Sequence, residues 1–396
     1  MSSFSGAEYE RRFERVRSLM AERSIDALLV SNTQNVAYLA GTGSFDHSWA
    51  MHFMEPIAYA SVVVVPKAGR PMLIVHDVFK DVLYQARSIS DVRVYYERGP
   101  DEEQPYVGMA VQALKDLECS KGAIGIELGC GYMTDPKLGM PLANLLRIEQ
   151  ELPDAKFVDC SEILRIVRMT KSKVEIEHIR KATEAIDKTF DVCFETISPG
   201  MSETEIVSIC NKTISENGAR PVWTLATCNP EAILLPRPEV RLRKGMLLFL
   251  DLGATYAGYH ADMNRMAVAG RPSVEQLKTC ENIAAITRAT IKSIKPGIRA
   301  SDTLEICRKE YQKVGLKVPV VHESTGYGPH RKIGHGIGLT LSEAPQLTWY
   351  DETVIEPGMT LCVEPHIRRY ATEQIVAVTD DGSETLSKAD DRLYQV

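Results

Sequence analysis

The chain has 396 residues, of which 44% are hydrophobic and 25% are charged, as in an ordinary globular protein rather than a disordered or collagen-like one. Its net charge of -7 shows no basic excess, which argues against nucleic acid or an anionic membrane as a partner and favours a small molecule or a peptide. The length exceeds what one hydrophobic core usually holds, so it predicts two domains.

The first twenty residues lack the charged-then-apolar pattern of a signal peptide, and no run of about eighteen apolar residues occurs. Nine cysteines are scattered singly between Cys119 and Cys362 without a CxxC pair. This odd number of isolated cysteines argues against a disulfide framework. We therefore expect reduced thiols and a cytoplasmic protein.

The first part of the chain alternates between helical and strand patterns. Residues 7–24 repeat apolar side chains at helical spacing and predict an amphipathic helix. Apolar runs bounded by turn formers predict strands at 26–31, 62–65, 72–75, 123–128 and 156–160. This alternation predicts a small α/β domain over residues 1–165.

Residues 172–197 predict a long charged helix, and the second domain is expected to cover residues 166–396. Within it, "ISPGMSETEIVSICNK" at 197–212 and "IKPGIRASDTLEICRK" at 294–309 align without a gap. This repeat predicts a duplicated domain. The alternative is that the two segments share only the general features of helix caps.

The stretch "FLDLGATYAGYHADMNRM" at 249–266 carries two acids in an unusual setting. Asp251 ends an apolar run that predicts a buried strand, where an ionised carboxylate needs a cation, a hydrogen-bond donor or a metal. "GATYAGY" supplies two glycines to turn the chain, so Asp262 is expected to face Asp251 across a hairpin.

The second half of the repeat shows the same arrangement, since Glu364 ends the run "GMTLCVEP" and Glu373 opens the run "ATEQIVAVT". If the duplication is real, four carboxylates meet. Four anions stay ionised in one pocket only around multivalent cations, and His335 in "IGHGIGL" would add an imidazole nitrogen. This set predicts two divalent metal ions, although each acid taken alone would be assigned to the surface.

These motifs resemble the pita-bread metallohydrolases, a family that includes methionine aminopeptidase, aminopeptidase P, prolidase and creatinase. The resemblance spans nearly the whole chain and rests on "DLGATYAGYHAD", "GHGIGL", "EPGMTLCVEP" and the N-terminal "IDALLVSNTQNVAYLAGT". It implies an α/β (α+β) protein with a creatinase/prolidase-like N-terminal α/β domain and a duplicated pita-bread C-terminal catalytic domain. It also implies a homodimer.

By this resemblance the metal ligands are Asp251, Asp262, His335, Glu364 and Glu373. Asp262 and Glu373 would bridge both metals, Asp251 would bind one, and His335 with Glu364 would bind the other. Glu364 would also be the general base for a water whose pKa the metals lower. The donor set leaves the metal open among manganese, cobalt, iron and zinc.

The sequence departs from the peptidases of the family at two positions. Those enzymes carry two further histidines, where this chain has Ser342 and Arg237. Neither a serine nor an arginine exchanges protons near neutral pH as an imidazole does. His330 and His260 are candidate catalytic replacements, with a surface histidine as the alternative for each.

Several residues are candidates for contact with a substrate. Arg331, Arg265 or Arg368 could bind a substrate carboxylate, and Ser342 could donate or accept a hydrogen bond. The aromatic and methionine-rich loop 42–56 is a candidate for substrate selection, or else a packed connection.

The predicted function is hydrolysis of an amide or Xaa-Pro type C–N bond in a dipeptide or small peptide-like substrate. A non-peptidase member of the same fold is the first alternative, of the kind represented by creatinase, ectoine hydrolase or dimethylsulfoniopropionate lyase, acting on a nitrogenous or sulfonium solute. The second is a catalytically dead binding protein, against which the complete ligand set argues.

Overall fold

The computed structural model describes residues 4–41, 61–77, 88–96, 105–129, 131, 134–229, 235–316, 332–367 and 370–396. The chain divides into two compact units, Met1–Arg168 and Met169–Val396. The sequence predicts this division near residue 165. Among the helices that the structure describes, none combines the length and the apolar character needed to cross a membrane.

The N-terminal unit contains a mixed six-stranded sheet with the strand order β4-β3-β2-β1-β5-β6. Its strands are β1 Ala27–Val30, β2 Val62–Pro66, β3 Met72–His76, β4 Asp91–Tyr95, β5 Ala123–Ile126 and β6 Lys156–Asp159. Its helices are α1 Gly6–Glu22, α2 Thr33–Ala40, α3 Pro105–Asp116, α4 Leu142–Glu151 and α5 Ser161–Met169. The five predicted strands are present.

The sequence pattern missed strand β4, which pairs in parallel with β3 at the edge of the sheet. Four of its five residues are only half-buried, and Asp91 and Arg93 interrupt its apolar pattern. An edge strand with polar side chains lacks the continuous apolar run by which a central strand is predicted.

In the described part of the C-terminal unit, four helices accompany strands that pair antiparallel, except that β17 pairs in parallel with β9. The helices are α6 Lys173–Thr196, α7 Glu203–Glu216, α8 Val274–Ser293 and α9 Ala300–Lys313. One sheet has the order β17-β9-β8-β7, a second the order β11-β10-β12-β15-β16, and β13 pairs with β14. Their bounds are β7 Arg220–Cys228, β8 Leu247–Tyr256, β9 Tyr259–Val268, β10 Lys332–Gly336, β11 Glu343–Thr348, β12 Thr360–Val363, β13 His366–Ile367, β14 Tyr370–Ala371, β15 Gln374–Val378, β16 Ser383–Thr385 and β17 Tyr394–Gln395.

The two aligned sequence segments adopt the same local structure. Helices α6 and α8 end in C-caps at Ile197 and Ile294, and α7 and α9 each begin six residues later. Gly200 and Gly297 follow these caps with φ angles of 104° and 91°, a backbone region that favours glycine. The two segments therefore share one helix–loop–helix structure, as the predicted duplication requires.

The hairpin of β8 and β9 turns at Ala257 and Gly258, whose φ angles of 50° and 85° belong to a two-residue turn with both central residues left-handed. Gly253 does not turn the chain as predicted, because it lies within β8. A Cβ atom there would stand 2.7 Å from the Cβ of Trp223. One glycine thus makes the turn, and the other makes room for an aromatic side chain on β7.

Candidate metal centre

Three carboxylates converge around the β8–β9 hairpin. Asp251 on β8 pairs with Asn264, and Asp262 on β9 pairs with Gly253, so the two acids lie diagonally on one face of the hairpin. Asp251, Asp262 and Glu373 each offer an oxygen atom, and these atoms lie within 4.8 Å of one another. The hairpin therefore brings together the acids that the sequence analysis selected.

The second sheet supplies the remaining donors. Glu364 follows β12 and Glu373 precedes β15, two strands that pair antiparallel. His335 on β10 reaches the same place, since its Nε2 lies 3.8 Å from Asp262 Oδ2 and 3.7 Å from Glu364 Oε1. The five residues that the sequence analysis named as metal ligands thus form one cluster.

The cluster is largely buried and incompletely hydrogen-bonded. Within the described part of the chain, Asp251 Oδ1, Asp262 Oδ1 and Glu373 Oε1 are buried atoms without a hydrogen-bond partner. Buried carboxylate oxygens without partners are costly, and three of them side by side also repel one another. Carboxylates with one imidazole are suitable ligands for divalent transition metals. The residues present therefore fit a divalent metal centre.

The protonation equilibria of these groups reflect the same crowding. Burial, followed by the charge of Glu364, raises the pKa of Asp251 to about 7. Burial and the neighbouring carboxylates hold the pKa values of Asp262 and Glu373 well above their ordinary values. A divalent cation would oppose this effect, because it would supply the missing positive charge.

Glu364 differs from the other three acids. Burial acts to raise its pKa, but the nearby side chains of His366, His335 and Lys332 hold the pKa of Glu364 below its ordinary value. His366 Nε2 lies 3.5 Å from Glu364 Oε2. Glu364 is thus the acid of the cluster that ionises most readily.

Neighbouring donors orient two of the carboxylates. Trp223 Nε1 donates to Asp251 Oδ2 at 3.3 Å, and Asn264 Nδ2 donates to Glu373 Oε2 at 3.0 Å. Each bond fixes one oxygen and leaves the other oxygen of that acid for a cation. Such outer partners commonly fix the orientation of metal ligands.

The two described candidate histidines have different surroundings. His335 is 5% exposed, and its Nδ1 lies 2.9 Å from the carbonyl oxygen of Gly336. If Nδ1 carries the proton of that bond, Nε2 is the nitrogen with a lone pair for a metal. His260 is half-buried, its Nδ1 lies 3.2 Å from the carbonyl oxygen of Gly338, and the two-residue spacing places it on the same face of β9 as Asp262.

Some predicted site residues lie outside the described residues. They are His330, Arg331, Arg368 and the loop 42–56. Their roles in catalysis and substrate binding stay predictions.

Arg265 is not available to a substrate, and the prediction that it binds a substrate carboxylate is wrong. Its side chain is fully buried. The guanidinium donates to five protein acceptors, namely the backbone oxygens of Asn264, Glu373, Ala389 and Asp390 and the side-chain oxygen of Gln374. Arg265 therefore ties the C-terminal segment to the backbone on either side of the carboxylate cluster.

Ser342 and Arg237 are the residues that the sequence analysis compared with the two further histidines of the peptidases. Ser342 is half-buried after β10, and its Oγ lies 3.4 Å from Gln346 Nε2. Arg237 donates its Nε and Nη2 protons to the buried Glu203, each at 3.1 Å. Arg237 is thus held by an ion pair, whereas Ser342 stays a candidate for substrate contact.

Two further side chains at the cluster were not selected by the sequence analysis. Cys362 lies two residues before Glu364 and is fully buried, and His366 lies two residues after it. The signal that could have found them is the two-residue period of a strand, which places alternate side chains on one face.

Sequence models of two protein families match the chain. The model described as metallopeptidase family M24 matches residues 177–382, and the model described as creatinase/prolidase N-terminal domain matches residues 12–170. The two matches together confirm the predicted fold class.

Individual proteins match over nearly their whole lengths. An Xaa-Pro dipeptidase from Pyrococcus horikoshii is 26% identical over 393 residues, covering 96% of this chain and 98% of the relative. An ectoine hydrolase from Halomonas elongata is 25% identical over 422 residues, covering 99% and 98%. The solved structure of an Xaa-Pro dipeptidase from Bacillus anthracis has a TM-score of 0.79 and 23% identity, covers 98% of this chain and 100% of its own, and shows the same fold.

Proposed function

We propose that this chain, which belongs to metallopeptidase family M24, is a metal-dependent hydrolase that cleaves the C–N bond of an Xaa-Pro dipeptide or a similar small peptide. The observation that carries the proposal is the cluster of four carboxylates and one imidazole, in which three buried oxygens lack a hydrogen-bond partner among the residues that the structure describes. The Xaa-Pro dipeptidase relative, matched over 96% of this chain, supports the same substrate class.

Asp251, Asp262, His335, Glu364 and Glu373 are the residues that would hold two divalent cations. When bound, such cations supply Lewis acidity for a scissile carbonyl group and lower the pKa of water. Manganese, cobalt, iron and zinc are all compatible with these donors. Trp223 and Asn264 keep the carboxylates of Asp251 and Glu373 oriented through the hydrogen bonds described above.

Glu364 is the proposed general base. Its lowered pKa keeps its carboxylate ionised at neutral pH, so an oxygen of Glu364 can accept a proton from the attacking water. The same carboxyl group can then return that proton to the leaving nitrogen. His260 and Ser342 are proposed to contact the substrate, and His330 and Arg331 keep the roles predicted from the sequence.

Two further parts of the proposal concern the whole protein. The eight described cysteines are free thiols, which suits a reducing compartment, so we place the protein in the cytoplasm. The homodimer follows from the family resemblance alone.

A second function is favoured by the residues that replace the two histidines of the peptidases. A serine and an ion-paired arginine at those positions offer no imidazole for proton transfer. The ectoine hydrolase relative, which covers 99% of this chain, is named for a small nitrogenous solute. Hydrolysis of such a solute by the same metal centre is therefore the second candidate.

The proposal is tested by turnover of Xaa-Pro dipeptides, Met-initiated peptides and ectoine by protein loaded with Mn²⁺ or Co²⁺. Released amino acid is measured for the wild type and for Asp262→Ala, with Asp154→Ala, a change at an exposed acid of the N-terminal unit, as the control. Release by the wild type and the control but not by Asp262→Ala is expected. If protein that holds metal turns over ectoine and no peptide, the peptidase proposal is wrong and the second candidate takes its place.

A further inference from the structure

The candidate metal centre contains a thiol in addition to its carboxylates and imidazole. The Cys362 side chain is fully buried on β12. Its Sγ, one donor atom of His335 and one of Glu373 all lie within 4.8 Å of one another. No other cysteine of the described residues belongs to such a cluster with a histidine and an acid.

Strand register explains why the sulfur lies there. Cys362 pairs directly with His335 across β10 and β12. It also precedes Glu364 by two residues, and this spacing places both side chains on one face of the chain. The thiol is therefore held by the same backbone that holds two of the proposed ligands.

A second observation indicates that this position is suited to a ligand. Glu373 is 2% exposed, and its Oε1 has no hydrogen-bond partner among the described residues. This oxygen belongs to the side chain that shares a cluster with Cys362 and His335. The sulfur of Cys362 thus lies close to a histidine nitrogen and to a carboxylate group that has a hydrogen-bond acceptor to spare, while its S–H group faces the backbone oxygen of Asp262 at 3.8 Å.

We propose that Cys362 is a sulfur donor of the metal centre and biases it towards zinc or cobalt over manganese. The inference rests on the proposed function only in that the centre holds a divalent cation. On binding, the S–H bond of Cys362 breaks, its proton leaves to solvent, and a metal–sulfur bond forms. Thiolates favour zinc over manganese, whereas carboxylates suit manganese.

X-ray absorption of the protein loaded with Zn²⁺ tests the bond itself. A sulfur neighbour is expected at about 2.3 Å from zinc in the wild type. It should persist in Cys307→Ser, a matched change at another fully buried cysteine, and disappear in Cys362→Ser. The wild-type spectrum alone tests the inference, so the test remains valid even if Cys362→Ser does not fold. Oxygen and nitrogen neighbours only, in the wild type, would overturn it.

Metal competition tests the bias. Protein exposed to equal concentrations of Zn²⁺ and Mn²⁺, both in excess, is desalted and its metals are counted. The ratio of bound zinc to manganese should fall at least about tenfold in Cys362→Ser and stay unchanged in Cys307→Ser. An unchanged ratio in a folded Cys362→Ser variant contradicts the proposed bias.

Peptide turnover by the Mn²⁺-loaded wild type separates this inference from the proposed function. Turnover with no sulfur neighbour at zinc means that the inference fails while the function stands. A sulfur neighbour without turnover of any peptide means that the proposed peptidase function fails while the inference stands.

Discussion

Glu127 in the N-terminal unit and Asp251 in the C-terminal unit are both acids in strand regions, and burial above all raises the pKa of each to about 7. Their hydrogen bonding differs. Glu127 accepts from the backbone N–H groups of Ser31 and Asn32 at 2.8 Å and from Asn35 Nδ2 at 2.6 Å. Asp251, by contrast, has a buried Oδ1 that finds no hydrogen-bond partner in the described part of the chain.

A raised pKa alone therefore does not distinguish a structural acid from a functional one. Glu127 faces the N-terminus of α2, where backbone N–H groups and the helix dipole favour a carboxylate. Arg168 Nη1 in turn donates to Asn35 Oδ1 at 2.9 Å and so orients the Asn35 amide that donates to Glu127. The Glu127 carboxylate has its donors within the protein, whereas Asp251, Asp262 and Glu373 each keep a buried oxygen that has no partner among the described residues.

The largest expected effect is a loss of bound metal and activity when one of the clustered acids is removed. Asp262→Ala removes a central carboxylate, so bound metal should be lost. Lewis-acid stabilisation is worth several kcal/mol, which corresponds to a fall in kcat/KM of about a thousandfold or more. Metal content and turnover are measured together.

Without metal, the same variant should be at least as stable as the wild type. Removing one of several crowded carboxylates relieves their repulsion and their burial cost. Thermal unfolding in the presence of a chelator checks this. A large loss of stability in chelator would assign Asp262 a structural role like that of Glu127.

Glu127→Ala should show the opposite behaviour. Three donors lose their acceptor, and an unsatisfied buried polar group costs about 1 to 3 kcal/mol. The free energy of unfolding should fall by about 3 kcal/mol, while the number of bound metals stays the same. Urea unfolding and metal analysis check the two parts, and lost metal with unchanged stability would contradict the comparison.

The pH dependence of stability sharpens the comparison further. Burial raises the pKa of Glu127 from 4.5 to about 7 in the folded protein. Between these two values the folded state keeps a proton on Glu127 that the unfolded state has released. The contribution of Glu127 to the free energy of unfolding is therefore fully present below pH 4.5 and is lost as the pH rises through 7. The difference of about 2.5 pKa units between the folded and the unfolded state corresponds to about 3 kcal/mol, since one pKa unit is 1.36 kcal/mol.

This effect is isolated by comparing the wild type with Glu127→Gln, whose side chain does not titrate. Measured by urea unfolding of metal-loaded protein, the wild type should lose about 3 kcal/mol relative to Glu127→Gln between pH 4.5 and pH 8. A constant difference between the two proteins over this range would mean that Glu127 keeps an ordinary pKa.

The convergence of the four carboxylates could be predicted because each belongs to or directly adjoins an apolar strand, a local pattern that the sequence displays twice. Glu127 could not be assigned in the same way. It ends a similar apolar run, yet its acceptors are filled by residues 31–35, far away in the chain. Whether a buried acid is satisfied depends on these distant partners, which no local pattern contains.

The same limit explains the errors at the site. As an arginine, Arg265 is a candidate to bind a substrate carboxylate, but its acceptors at Ala389 and Asp390 lie more than a hundred residues away in the chain. Cys362 was passed over because a single cysteine carries no signal until strand register places it opposite His335. Local patterns thus predicted which acids converge, and tertiary structure determined their neighbours.

The smallest expected effect concerns the donors that orient the two kinds of acid. Asn264 is 1% exposed and donates to Glu373 Oε2, so Asn264→Ala frees the carboxylate to rotate. Loss of such a partner typically costs about 10- to 100-fold in metal affinity. Asn144→Ala is the matched control, because Asn144 is also buried and donates to the Tyr106 hydroxyl in the N-terminal unit. Metal titration should show weaker binding for Asn264→Ala only. Equal affinities in the two variants would mean that Glu373 holds its orientation without Asn264, and the hydrogen bonds around the metal centre would then be as dispensable for binding as those of the N-terminal unit.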